Sequence, residues 1–136
     1  MRISLFRKAH FNAAHRLSKN DWSAEKNKEV FGICSNPNFH GHNYELIVKI
    51  SGEVNPETGM LMNLKELKHI IKQHIELKFD HKNLNLDIPE FSNTIPTSEN
   101  LCYLIWSILR DKISDEITLS VRLYESARNF VEFPAS

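Results

Sequence analysis

His40-Gly41-His42 is the densest chemical signal in the chain. Residues two apart in an extended segment project to the same side, so these two imidazoles can face one ion. Gly41 between them leaves the approach clear. A third imidazole from His15 would give a three-histidine site with one coordination position open, the arrangement of catalytic zinc, although imidazoles also suit copper, nickel and iron. His10 competes for that place. Its even parity sets it opposite the apolar residues of its segment, whereas His15 continues the odd series of Phe11 and Ala13. Taken singly, each histidine reads better as a polar surface or partly buried residue, and the His40-Gly41-His42 spacing brings the two readings level. His69 and His74 read as ordinary residues of a helix surface.

Four further residues carry candidate chemistry. Cys34 lies in a polar, turn-forming loop six residues before His40, a setting that suits a reactive thiol better than a packing one. Thiols beside a cation lose their proton readily and then serve as base or nucleophile; the alternative is a closed site with Cys34 as fourth ligand. Asp80-His81 invites a proton relay, but adjacent side chains in an extended segment face apart, so a direct bond between them needs a turn. Glu125 continues the parity of Ile117, Leu119, Val121 and Leu123, which puts a carboxylate where a core residue should stand. Either Arg128, a ligand with paired N–H donors, or solvent must meet it.

These side chains must be positioned by a small set of elements. Ile3, Leu5, Ala9, Phe11 and Ala13 share one parity, as an amphipathic strand requires, and His42 to Glu53 reads as a second strand. A polar loop separates the two. After a turn at Asn55-Pro56-Glu57-Thr58-Gly59, Asn63 caps a helix with Glu66 at the capping-box position and an apolar stripe of Leu64, Leu67, Ile70, Ile71, Ile75 and Phe79. A second helix begins at the N-cap Thr97 and carries Leu101, Leu104, Ile105, Ile108 and Leu109, with Cys102 beside the stripe as a packing residue. Ile117 to Glu125 and Asn129 to Phe133 close the chain as a hairpin. The expected fold is therefore an α+β domain spanning residues 1–136, a four-stranded antiparallel sheet with two helices on one face. Its other face is either wet or buried by joining the sheets of neighbouring subunits.

Bulk composition narrows the partners. Lys plus Arg and Asp plus Glu number 17 each, so no basic field favours nucleic acid. The N-terminus lacks the apolar stretch of a secretory signal, no apolar run is long enough to span a bilayer, and both cysteines read as free thiols. A cytoplasmic protein acting on a small molecule, with neither nucleic acid nor membrane as partner, is the expectation.

Phe11-x-Ala13-Ala14-His15, Cys34-x5-His40-Gly41-His42-Asn43-Tyr44, Asn55-Pro56-x-Thr58-Gly59-Met60, Asp80-His81-Lys82-Asn83-Leu84, Thr97-x-Glu99-Asn100 and Tyr124-Glu125 together resemble the 6-pyruvoyltetrahydropterin synthase family, with its 6-carboxytetrahydropterin synthase relatives. The resemblance runs almost end to end. It implies the tunnelling fold, ββααββ subunits that trimerise into a barrel and stack as a homohexamer with active sites at subunit interfaces. It also implies Zn2+ on His15, His40 and His42, Cys34 as proton acceptor, Asp80 with His81 as relay, Glu125 gripping the pterin, and Thr97 and Glu99 lining its pocket. The activity implied is a zinc-dependent carbon–oxygen lyase that converts 7,8-dihydroneopterin triphosphate to 6-pyruvoyltetrahydropterin with loss of triphosphate, Mg2+ accompanying the phosphates. Two alternatives stand beside it. One is the 6-carboxytetrahydropterin synthase reaction, with loss of acetaldehyde and triphosphate on the way to queuosine and deazapurines; the other is a zinc or pterin module without turnover. Ser35, Phe39, Ser98 and Ala127-Arg128 depart from the family pattern.

Overall fold

The computed structural model describes residues 1–135. Strands β1 (Arg2–His15), β2 (His40–Glu53), β3 (Lys82–Asn83), β4 (Thr118–Tyr124) and β5 (Phe130–Phe133) form one sheet in the order β3-β1-β2-β4-β5. β1 and β2 pair antiparallel over their whole length, from Arg2 opposite Glu53 to His15 opposite His40. β4 and β5 extend the antiparallel sheet, and β3 joins the far edge parallel to β1.

Side-chain alternation decides which face is buried. Ala9, Phe11 and Ala13 of β1, Tyr44, Leu46, Val48 and Ile50 of β2, and Leu119, Val121 and Leu123 of β4 all point into the core. Helices α2 (Leu64–Ile71) and α5 (Ser98–Lys112) cover that face through Leu67, Ile71, Leu101, Ile105 and Leu109. Beyond α2 the chain passes through a π turn, Lys72–Glu76, into the short α3 (Leu77–Phe79). A four-residue spacing such as Leu67, Ile71, Ile75, Phe79 overruns the 3.6-residue turn of an α-helix; the wider turn offsets that drift and keeps Ile75 and Phe79 buried. Phe79 packs on Phe11, which stacks on Tyr44 with ring centroids 5.1 Å apart.

Several expectations are corrected. The sheet has five strands, because Asp80 accepts the Asn12 amide at 2.9 Å and draws the following residues alongside β1. The polar loop holds a helix, α1 (Ala24–Phe31). Its buried residue is Asn27, whose amide group bonds Lys19, Trp22 and Ser23 backbone atoms. Leu64 is 52% exposed and drops out of the core stripe. Asn63 does cap α2, but its side chain accepts from Lys65 N, whereas Glu66 N donates to the Asn63 carbonyl. The remaining elements match. Thr97 caps α5 by accepting from Asn100 N, Cys102 is buried with its thiol pushed by desolvation to about 11, and β4 and β5 form the hairpin. A short α4 (Leu84–Asp87) follows β3.

Candidate active site

The β1–β2 register brings three imidazoles together. His15 and His40 are direct cross-strand partners and His42 lies opposite Ala13, so all three share the core face at one end of the ladder. Their ring centroids are 4.6, 5.0 and 4.9 Å apart, and one ring nitrogen from each lies within 4.8 Å of the others. His10 points to the exposed face.

His15 is 1% exposed, and its Nδ1 lies 2.7 Å from the Pro96 carbonyl. A carbonyl only accepts, so Nδ1 carries the proton and the Nε2 lone pair is free. That Nε2 and the Nε2 of His42 are buried without a protein partner. Burial lowers the pKa of His15, with the neighbouring histidines adding to the effect and the Pro96 bond opposing it. Burial likewise lowers that of His42, against the pull of Glu125. Neutral imidazoles with orphaned lone pairs on one small volume fit a divalent cation, since a metal ligand must be unprotonated and its second nitrogen is usually held by a carbonyl or carboxylate. The cluster consists of His15, His40 and His42; Cys34 is not part of it.

Glu125 stands beside this cluster, its Oε1 3.6 Å from His42 Nε2. The Ser98 hydroxyl donates to the other carboxylate oxygen. Arg128 makes no ion pair with it among the described residues, which corrects one expected solution to the parity conflict. Glu125, Thr97, Ser98 and Glu99 line a cavity of about 520 Å³ together with Leu17 and Phe31. Ser98 is the site residue that sequence reasoning left without a role. Its signal was slight: it is the first residue of a helix whose start faces the strand end carrying Glu125.

Cys34 lies in a single 3-10 turn, Gly32–Ser35, tied to the end of β1 because Leu17 N donates to its carbonyl at 2.8 Å. It is partly exposed. Asp80 and His81 do form the direct pair: His81 adopts a left-handed φ of 61°, and its Nδ1 lies 3.0 Å from Asp80 Oδ2. The Asn12 amide, and after it His81, holds the Asp80 carboxyl below its ordinary range. The dyad borders another cavity, with Asn12, Asn43 and His42 in its wall, and His81 is 79% exposed. One chain therefore gathers the three histidines and Glu125 on one side, and presents Asp80 and His81 over the polar face of the sheet.

Known proteins resemble the chain along almost its whole length. A family model described as 6-pyruvoyl tetrahydropterin synthase matches residues 4–136. The 6-pyruvoyl tetrahydrobiopterin synthase of Pongo abelii is 42% identical over 127 residues, covering 93% of this chain and 88% of that one. An Archaeoglobus fulgidus protein provisionally named 6-carboxy-5,6,7,8-tetrahydropterin synthase is 43% identical over 90 residues, or 66% of this chain and 68% of its own. The solved structure of Caenorhabditis elegans 6-pyruvoyl tetrahydropterin synthase superposes with a TM-score of 0.93 at 36% identity, covering 100% of this chain and 97% of that one. With a family model matching residues 4–136 and a relative 42% identical over 93% of this sequence, the chain belongs to the 6-pyruvoyl tetrahydropterin synthase family.

Proposed function

We propose that this protein is a zinc-dependent lyase that converts 7,8-dihydroneopterin triphosphate to 6-pyruvoyltetrahydropterin with loss of triphosphate. The observation that carries the reading is a hydroxyl-anchored carboxylate, Glu125, lining a cavity beside a cluster of three imidazoles, two of which, His15 and His42, have a buried Nε2 without a protein partner. Full-length relatives of that name support it.

His15, His40 and His42 would hold Zn2+ through their ring nitrogens. When bound, the ion supplies Lewis-acid polarisation of a side-chain oxygen of the substrate, which acidifies the neighbouring C–H bond. Glu125 accepts two parallel N–H bonds from the amino-pyrimidine edge of the pterin, and the Ser98 hydroxyl keeps its carboxylate aimed. Thr97 uses a lone pair on Asn100 N and retains its hydroxyl proton for the ligand, while Glu99 lines the same cavity. Cys34 takes the substrate proton as thiolate. His81, oriented by Asp80, returns a proton to the ring or to the departing triphosphate.

Because Asp80 and His81 face the polar side of the sheet, the complete site is assembled between subunits of a homohexamer, a dimer of trimers. The cytoplasm is the compartment this reading requires; no helix of the described residues is long and apolar enough to cross a membrane.

Mass spectrometry of the product formed from 7,8-dihydroneopterin triphosphate by the zinc-loaded protein tests the proposal. A 6-pyruvoyl product with free triphosphate is expected. Acetaldehyde in equal amount would instead select the 6-carboxy reaction, the reading favoured by the Archaeoglobus relative. Pterin binding without turnover would reject catalysis altogether.

A further inference from the structure

A second cavity, of about 440 Å³, is lined by residues adjacent in the chain to His15 and His40 and does not include Glu125. Arg16, Lys19, Phe39, Asn93, Thr94 and Pro96 are in its wall. The two cavities share a partition. Arg16 and Pro96 line this one, whereas the next residues in the chain, Leu17 and Thr97, line the one with Glu125. The partition is anchored to the imidazoles, because Arg16 follows His15, Phe39 precedes His40 and the Pro96 carbonyl holds His15 Nδ1.

Arg16 is the unusual wall residue. Its guanidinium is partly buried, one Nη donates to the Ser35 carbonyl at 2.8 Å, and its Nε is buried with no partner. No carboxylate of the described residues lies within ion-pair distance of it. A half-buried cation without a counter-ion is costly to hold and favours an anionic ligand. Lys19 adds a second, exposed cation; Asp21, the acid in the same wall, is 3.8 Å from Lys19 Nζ and 72% exposed. Hydroxyl and amide donors from Ser18, Asn93 and Thr94 complete a lining suited to phosphoryl oxygens.

We infer that this cavity receives the polyphosphate end of the substrate, with Arg16 as its principal contact. The inference rests on the pterin reading above, and it follows the order of groups in such a molecule. A pterin at Glu125 beside His42, a short hydroxylated carbon chain at the histidines and a polyphosphate at Arg16, the residue after His15, would take the groups of the substrate in their covalent order. The leaving group is thus held by its own cationic pocket, apart from the groups that move protons.

Calorimetry on the zinc-loaded protein with inorganic tripolyphosphate and, separately, with 7,8-dihydroneopterin distinguishes the parts of this assignment. Arg16→Gln should weaken tripolyphosphate roughly ten- to hundredfold and leave 7,8-dihydroneopterin unchanged. Glu125→Gln should do the reverse. Lys19→Gln, at an exposed side chain that carries no structural bond to the Cys34 turn, should weaken tripolyphosphate a few-fold, and added salt should do so in the unaltered protein. Equal loss of both ligands in Arg16→Gln, with no effect of Lys19→Gln or salt, would make Arg16 a brace for the Ser35 turn and overturn the inference, as would tripolyphosphate binding indifferent to Arg16. Arg16-dependent binding of tripolyphosphate by a protein that ignores 7,8-dihydroneopterin would keep the anion cavity and reject the pterin reading.

Discussion

His15 shows how a single hydrogen bond can define a site: with Nδ1–H given to Pro96, its remaining lone pair can face only its two neighbours. That arrangement has a pH signature in the metal-free protein. The ordinary histidine value is 6.5, and burial lowers it for His15 and His42 in the folded state. Below that value the unfolded chain binds protons that the fold resists, so the contribution of these two groups to stability is constant above it and falls as pH drops. Urea midpoints of chelator-treated protein should therefore decrease from about pH 7.5 to about pH 5, and a flat profile would show that the imidazoles are not held neutral. Cys34→Ala should keep about one zinc per chain, as a three-ligand site predicts, while losing turnover; zinc lost together with activity would point to a closed site with Cys34 as ligand. Glu125→Gln should raise the dissociation constant for 7,8-dihydroneopterin without emptying the metal site, and Ser98→Ala should have a weaker effect of the same kind. Unaltered affinity in Glu125→Gln would remove its role as anchor. Parity and spacing made the three histidines and the misplaced carboxylate legible from sequence. Pro96 and Ser98 were not, because their bonds to His15 and Glu125 join residues 81 and 27 positions apart and have no local pattern.

The elements were legible where an apolar periodicity exists and obscure where polar bonds replace it. β1, β2, β4, α2 and α5 each bury a stripe that reads directly from the chain. α1 buries an asparagine instead. Its start is fixed by Ser23, which accepts from Lys26 N, and by Asn27 fastening the approach from Lys19 to Ser23. Asn27→Ala leaves Lys19 N, a backbone donor it now satisfies at 2.8 Å, without that partner. A loss of about 1–3 kcal/mol is expected in urea unfolding, with faster proteolysis between β1 and β2; no change in either would assign α1 stability of its own. β3 escaped notice for a different reason. Two residues carry no alternation, and their place beside β1 depends on the Asp80 carboxylate meeting the Asn12 amide.

At the scale of the molecule, the helices account for one face of the sheet and leave the other uncovered. Phe6 is 60% exposed on that face, and the outer strands β3 and β5 end in unpaired edges within one chain. Burying such a face by closing sheets into a barrel also removes the edges. Sedimentation should give a hexamer, and specific activity should fall on dilution as the Asp80-His81 pair of one subunit parts from the site of another. A fully active monomer would place the whole reaction within one chain. The long β1–β2 ladder has a consequence for how the chain reaches this state. A slip of one residue would turn His40 and His42 toward the opposite face from His15, and with them every core residue of β2. Only the correctly aligned hairpin can gather three imidazoles, so a metal ion captured early would favour that alignment over its neighbours and act as a proofreader of strand pairing during folding.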